Sequence, residues 1–323
     1  MNNLIRPIEV MHLLRHGASP LPNVIVLGMP HLSLAGLSET WLLKECGHRH
    51  WFQLAAAAGL ARPDFRDEVG EPIYAAFLGV SVRDATLDTV REHDELVIAS
   101  QLVRTSRTQF TSIHRLSIRA RPLAEVVMTS TFVKRAQKGR NHSIARVEVP
   151  SLAPLEPEPR ATSFATEAAA LRSNRWCIHL GFERSKAAVV DRLVIDPCPG
   201  LDFNGADFLY FASFQAFVDR AEWAFFRPAA PFPTTRRRDI VYRGNIDPGE
   251  RVIASLLQVR WEERDLGHWY RLERAQDNFA IADIFTHRRL RVARAAAADK
   301  DVQATRIVTS AAGGACNALI IYV

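Results

Sequence analysis

The sequence predicts an α+β protein in which one fold unit occurs twice in tandem, each unit being an antiparallel sheet wrapped around a long central helix. Three observations predict it: short sequence blocks recur in the same order in the two halves, each half contains one helix that is apolar on most sides, and several β-branched and aromatic segments follow each helix. The 323 residues, 48% of them hydrophobic, are enough to bury a core in each half.

The internal repeat consists of four blocks. Residues 30–38 match residues 199–207 in a proline, a leucine and a glycine, at a shift of about 169 residues. At shifts of roughly 155, three further pairs follow in the same order: 95–100 with 250–255, 113–116 with 269–272, and 132–135 with 285–288. The conserved order indicates duplication. The drop in the shift predicts an extra loop of roughly 14 residues in the first half, around residues 61–70.

Each half is predicted to form one long helix, over residues 37–58 and 206–226, and then several strands. Leu37, Trp41, Leu42, Phe52 and Ala55 recur at three- and four-residue spacings, which puts them on one helical face. The strands are expected at residues 73–82, 96–102, 109–118 and 126–134, and then at 252–259, 267–274 and 280–286. A helix this apolar must be buried, so we expect the sheet to wrap around it.

The expected domain organisation is a first unit over residues 1–149, a proline-rich linker over 150–175, a second unit over 176–291 and a C-terminal tail over 292–323. Four prolines at positions 150, 154, 157 and 159 predict that the linker is stiff. Two such units are expected to pair sheet edge to sheet edge, because this pairing satisfies the hydrogen bonds of both edges.

Composition and charge limit the kinds of binding partner and the cellular compartment that we expect for this protein. The net charge of +6 favours acidic partners, but no nucleic-acid-binding motif and no glycine-rich phosphate loop is present, so no nucleic acid is expected. No apolar run approaches the ~18 residues that a membrane span needs. Residues 1–10 carry one cation, Arg6, and no signal-peptide core, and the four cysteines are scattered. These features predict a cytoplasmic protein without membrane partners.

Two motifs of the second half resemble proteins with the hot-dog fold. Residues 202–211, Asp-Phe-Asn-Gly-Ala-Asp-Phe-Leu-Tyr-Phe, resemble the helix-opening motif of hot-dog thioesterases. Residues 243–250, Arg-Gly-Asn-Ile-Asp-Pro-Gly-Glu, resemble the turn that precedes their next strand. In the first half, residues 28–32, 36–45 and 48–51 are similar to a narrower family, the double hot-dog proteins of polyketide gene clusters, such as the bifunctional acyltransferase/decarboxylase of the leinamycin pathway.

The resemblance spans residues 24–291 and implies an enzyme that acts on acyl thioesters. It implies the decarboxylation of a methylmalonyl-type group on coenzyme A and its transfer to an acyl carrier protein. Acyl-CoA and acyl carrier protein are thus the expected partners, with coenzyme A or phosphopantetheine as the substrate carrier and no permanently bound cofactor. Two alternatives remain open: a dehydratase, isomerase or thioesterase on a carrier-bound chain, and a non-catalytic module that binds an acyl carrier. A homodimer is compatible with each of them.

Asn204 is the first candidate catalytic residue, because the resemblance places it where one type of hot-dog thioesterase has an aspartate. An asparagine cannot be a nucleophile or a base, but it can donate a hydrogen bond to a thioester oxygen or an enolate. This substitution favours decarboxylation over hydrolysis. The backbone N–H groups after Asn204, beginning with Gly205, could bind the same oxygen. The alternative role of Asn204 is to cap a helix.

Tyr74 is the only tyrosine of the first half, and the resemblance implies a role for a tyrosine there in acyl transfer. Orienting the acyl group or protonating an enolate is chemically easier for a phenol than nucleophilic attack. The alternative is a tyrosine that simply packs at the start of a strand.

The dehydratase alternative depends on His31 and Asp207, which could pair across the two copies. The spacing from His31 to Gly36 departs from the usual dehydratase pattern. Four further residues are candidate substrate contacts: Gly36, Ser38, Asn141 and His142. Helix capping is the alternative for Ser38, and a loop turn for Asn141 and His142. His48 and His50 are expected at the surface or at a helix end, and no metal site is expected.

Overall fold

The computed structural model describes residues 21, 23–148, 152, 155, 158–227 and 232–289. The predicted tail over residues 292–323 therefore lies outside the described residues, as do Pro150, Pro154 and Pro157 of the predicted linker. Within the described residues, no helix is both long and apolar enough to cross a membrane.

The first half contains one long helix, α1, over Glu39–Ala57. Its strands are β1 Val24–Val26, β2 Leu32–Ser33, β3 Gly36–Leu37, β4 Tyr74–Arg83, β5 Glu95–Arg104, β6 Gln109–Ile118, β7 Arg121–Arg135 and β8 Ile144–Arg146. Short 3-10 turns cover Met29–His31, Leu87–Thr89 and Asn141–Ser143.

Helix α2, over Pro159–Arg172, leads into the second half. There the helices are α3 Pro199–Asp202 and α4 Phe211–Phe226, with a 3-10 turn at Arg184–Lys186. The strands are β9 Ile178–His179, β10 Phe182–Glu183, β11 Asp191–Ile195, β12 Thr234–Tyr242, β13 Val252–Glu262, β14 Asp265–Arg274 and β15 Ala280–Arg289.

Eleven strands form one continuous sheet, in the order β1-β5-β6-β7-β4-β12-β15-β14-β13-β11, with β8 paired to β7. The two halves of this order correspond strand for strand. They join where β4 pairs antiparallel with β12, so that Val80 lies opposite Ile240. Both inner edges are thereby satisfied. The predicted fold class, a double hot-dog with two units joined edge to edge, is confirmed.

The two long helices pack against this sheet and share one apolar core. Leu42 and Cys46 of α1 belong to the same buried cluster as Phe214 and Phe217 of α4. The helices approach closely at Gly47, where a Cβ atom would lie 2.6 Å from the Phe211 ring. The connection after α1, residues 58–73, is longer than the connection after α4, residues 227–233, so the extra loop predicted in the first half is present.

Helix α2 packs on the opposite face of the sheet, across the seam between the halves. Val127 is buried against Phe164 of α2, whereas Val126 and Met128 belong to the core around α1. Because successive side chains of a strand point to opposite faces, α2 lies outside the wrapped core. Part of the predicted linker thus forms a packed helix, which the proline-rich sequence did not predict.

Candidate functional site

A cavity of about 800 Å³ lies between the two halves. Helix α1 contributes Gly47 and Trp51, strand β4 contributes Tyr74, and the loop before α4 contributes Asn204 and Gly205. Aromatic side chains form much of its wall: Trp51, Phe52, Tyr74, Phe77, Phe208, Tyr210, Phe211, Phe214, Tyr242 and Phe279. No aspartate or glutamate is among its described lining residues. Such a wall suits an apolar chain with a few polar contacts.

Asn204 fixes the loop that enters this cavity. Its Oδ1 accepts the backbone N–H groups of Ala206 at 3.0 Å and Phe208 at 3.2 Å. Asn204 therefore caps a turn and not the first residues of a helix, since α4 begins only at Phe211. Among the described residues, Nδ2 has no acceptor within hydrogen-bond distance, so this NH₂ group can donate to a bound molecule. Gly205 lines the cavity beside it.

Asn141 holds the same loop from the first half. Its Nδ2 donates to the backbone oxygens of Asp207 at 2.6 Å and Ile246 at 2.7 Å, and its Oδ1 accepts from Arg135 Nε at 2.8 Å. Arg135 also donates to the backbone oxygen of Ala206 and covers the Phe208 ring. Asn141 is buried and does not line the cavity. Asn141 thus lies behind the loop and not in the cavity wall, and its predicted role in substrate binding stays a prediction.

His142 lines the cavity and is oriented by a carboxylate. Its Nε2 hydrogen bonds to Glu250 Oε2 at 2.7 Å, and Asp247 lies 4.0 Å away. Glu250 is held in turn by the backbone N–H of Asp247 at 2.7 Å. Among the described residues Nδ1 has no hydrogen-bond partner, which leaves it available as a base. Sequence reasoning missed Glu250, although it closes the motif at residues 243–250 that drew attention to the turn.

Tyr74 lies in the same wall at the start of β4. Its ring contacts the Phe208 ring with centroids 5.4 Å apart, and the Arg135 guanidinium lies 6.0 Å from its centre. The fold thus brings together Tyr74 and His142 from the first half with Asn204 and Gly205 from the second. The catalytic or binding role of each remains a prediction.

The predicted pair of His31 and Asp207 does not form: the described residues contain no ion pair between them, and neither lines the cavity. His31 Nδ1 instead accepts the backbone N–H of Gly28 at 2.8 Å, and its ring packs against Trp41. The Asp207 side chain is exposed, on a backbone with φ of 60°.

Gly36 and Ser38, two predicted substrate contacts, also lie outside the cavity lining. Gly36 has φ of +102° and packs against the backbone of Leu87. Ser38 caps α1 by accepting the backbone N–H of Trp41 at 3.3 Å, which is the alternative role considered for it.

His50 is buried rather than at the surface. Its two ring nitrogens each lie 2.7 Å from a serine hydroxyl, of Ser112 and Ser130, and burial lowers its pKa to about 3. The prediction failed because both serines come from strands distant in the sequence.

The described residues form a double hot-dog fold with a cavity between its two halves. No protein-family model matches the sequence, and no curated protein is significantly similar to it. The structure is similar to the 12:0-ACP thioesterase from Umbellularia californica, with a TM-score of 0.55 and 10% identity over 82% of this chain and 92% of the other. It is also similar to a protein described as an oleoyl thioesterase from Lactobacillus plantarum, with a TM-score of 0.58 and 12% identity over 83% of this chain and 93% of the other. At these identities the similarity shows the shared fold.

Proposed function

We propose that this protein hydrolyses the thioester of an acyl group carried by coenzyme A or by an acyl carrier protein. One observation carries the proposal: His142, oriented by Glu250, and the donor amide of Asn204 lie in the same aromatic cavity. The two structural neighbours are thioesterases by description, and this supports the class of substrate.

The chemistry follows from these groups. His142 Nδ1 removes a proton from water as the water oxygen bonds to the thioester carbonyl carbon. Asn204 Nδ2 and the backbone N–H of Gly205 donate hydrogen bonds to the carbonyl oxygen as it becomes negative. When the C–S bond breaks, the electron pair leaves with sulfur, and His142 returns the proton to give a thiol and a carboxylic acid. Glu250 keeps the imidazole oriented throughout.

The test compares His142→Gln with His48→Gln, because His48 also lines the cavity but, among the described residues, has no hydrogen bond to a carboxylate. We expect His142→Gln to lower kcat for thiol release from a medium-chain acyl-CoA or acyl carrier protein by about 10²–10⁴-fold. Glu250→Gln should lower it less, and His48→Gln should leave it near the wild-type value. Equal activity of the His142 and His48 variants would overturn the proposed base.

Decarboxylation coupled to acyl transfer is a second candidate, and it is favoured by the absence of any carboxylate among the described lining residues. Loss of CO₂ from a methylmalonyl thioester leaves an enolate, whose oxygen Asn204 would bind and whose carbon Tyr74 would protonate. The thiol of a carrier protein then displaces coenzyme A. Resemblance to the double hot-dog proteins of polyketide clusters supports this candidate.

Intact-protein mass spectrometry of a carrier protein with methylmalonyl-CoA distinguishes the two candidates. The second predicts a propionyl carrier that is lost in Asn204→Ala and reduced in Tyr74→Phe. If free methylmalonate forms and the carrier stays unloaded, hydrolysis is the activity and the second candidate is wrong. If neither product forms, a non-catalytic acyl-carrier-binding module is favoured. The polyketide pathway, the cytoplasmic location and the homodimer remain predictions.

A further inference from the structure

Four arginines from different parts of the sequence lie in the wall of this cavity or of a cavity that adjoins it. Arg146, Arg172 and Arg243 line it. A second cavity of about 510 Å³ adjoins the first, since Arg172, Arg243 and Phe279 line both, and Arg271 lines the second. We call Arg146, Arg172, Arg243 and Arg271 the arginine cluster.

Positive charge in the arginine cluster exceeds negative charge. Arg243 Nη2 and Arg271 Nε lie 2.5 and 3.0 Å from the same carboxylate, that of Asp283. Arg146 and Arg172 have no carboxylate within salt-bridge distance among the described residues. The nearby Arg274 forms its own pair with Asp277, so it adds no net charge.

Arg172 is fixed in place but is not neutralised. Its Nε donates to the backbone oxygen of Tyr242 at 2.9 Å, which leaves both terminal nitrogens without a protein partner in the described structure. Burial, with added repulsion from Arg146 and Arg243, lowers its pKa to about 10. A half-buried guanidinium that is short of negative charge is stabilised when an anion binds beside it.

We propose that the arginine cluster binds the phosphate oxygens at the far end of a pantetheine arm, either the diphosphate of coenzyme A or the phosphodiester that attaches phosphopantetheine to a carrier protein. The two free nitrogens of Arg172 match a phosphate in a bidentate contact. The aromatic cavity would then hold the acyl group and the thioester, and the second cavity the phosphate. The identity of the ligand rests on the proposed function, whereas the binding of an anion does not.

The test measures dissociation constants by titration calorimetry for three probes: coenzyme A, inorganic diphosphate and pantetheine, which has no phosphate. The variants are Arg146→Gln and Arg172→Gln. The matched control is Arg175→Gln, because Arg175 is exposed, lies three residues beyond Arg172 and lines neither cavity. Arg146 is exposed too, so its variant keeps the test valid if Arg172→Gln fails to fold.

We expect each cluster variant to raise the Kd of coenzyme A and of diphosphate about ten-fold. The Kd of pantetheine should not change, and Arg175→Gln should have the wild-type Kd for all three probes. In turnover assays, a KM that rises for acyl-CoA alone identifies the diphosphate as the ligand, and one that rises for acyl-CoA and acyl carrier protein identifies the shared phosphate.

The two proposals can fail separately. The protein could bind diphosphate through Arg146 and Arg172 and yet show no thioesterase activity. That result would support the anion site and overturn the proposed function. Wild-type diphosphate and coenzyme A affinities in both cluster variants would overturn the anion site, even if thioester hydrolysis is observed.

Discussion

Gly36 and Gly205 occupy matching positions in the two copies, yet a side chain would meet opposite conditions there. At Gly36, φ is +102° and a Cβ atom would lie 2.2 Å from the Leu87 backbone oxygen. At Gly205, a Cβ atom would have no neighbour within 4 Å. We expect Gly36→Ala to lower the free energy of unfolding by about 2 kcal/mol or more, and Gly205→Ala to change it by less than about 0.5 kcal/mol.

Urea unfolding of the two variants checks this prediction, and each variant is the control for the other. If Gly36→Ala were as stable as the wild type, the β2–β3 turn could move away from Leu87 at no cost, and the structural role assigned to Gly36 would be wrong.

The same pair of residues shows how far the site could be predicted. Four of the predicted site residues, Asn204, Gly205, Tyr74 and His142, lie in the cavity wall. Gly36, which the internal repeat matches with Gly205, does not line it. A repeat in the sequence does not show whether two matching positions have the same surroundings, because side chains from distant segments decide that.

Buried ion pairs connect the start of α1 to the second copy. Glu39, the first residue of α1, lies 2.7 Å from Arg238 Nε, and Arg238 Nη2 lies 2.7 Å from Asp219. Arg238 is fully buried, and Arg288 also pairs with Asp219.

Among the elements, helix α2 packs on the face of the sheet away from the core and bridges the two halves where β4 pairs with β12. Phe164 is 1% exposed and packs beneath the Arg83 guanidinium, which lies 5.2 Å from its ring centre. Its ring also lies 3.2 Å from the position a Cβ atom would take on Gly79 of β4. We expect Phe164→Ala to lower the free energy of unfolding by about 3–5 kcal/mol, because it empties a buried site that the sheet cannot refill.

Ser163→Ala, on the exposed side of the same helix, is the matched control and should change the stability by less than about 0.5 kcal/mol. Chemical denaturation measures both. A loss below about 1 kcal/mol for Phe164→Ala would mean that α2 contributes little to the seam.

The strands could be predicted and α2 could not, for reasons that lie in the local sequence. In β5 to β7, β-branched and other apolar residues recur along each strand, and the predicted bounds of β6 coincide with the observed ones. Four prolines dominated the interpretation of residues 150–175. Pro159, however, occupies the first turn of α2, where proline is compatible with a helix, and Glu158 caps it through Ala161 N–H.

For the whole molecule, acid sensitivity follows from a chain of buried polar groups inside the first copy. His50 lies 2.7 Å from Ser112 Oγ, and His114 lies 2.9 Å from the same hydroxyl. Burial lowers the pKa of both imidazoles, that of His50 to about 3, and the pKa of His114 is lowered further by His50 and Arg49. Both histidines are therefore neutral in the folded protein at pH values where the unfolded chain binds protons.

We accordingly expect the free energy of unfolding to fall as the pH decreases from 6.5 to 5, by about 1.4 kcal/mol per pH unit for each proton that the folded state excludes. Well above pH 6.5 these two groups are neutral in both states and add no slope. His179 has a raised pKa because hydrogen bonds to Asp239 and Glu167 outweigh the effect of its burial. Its stabilising contribution to the free energy of unfolding is therefore fully present below pH 6.5 and adds no slope there. Lowered carboxylate pKa values, such as about 2 for Asp239, affect the free energy of unfolding only in stronger acid.

Urea unfolding at half-unit pH steps measures the slope, and His50→Asn should reduce the slope by about one proton while lowering stability at every pH. An unfolding free energy that is flat between pH 6.5 and 5 would show that the folded protein accepts these protons.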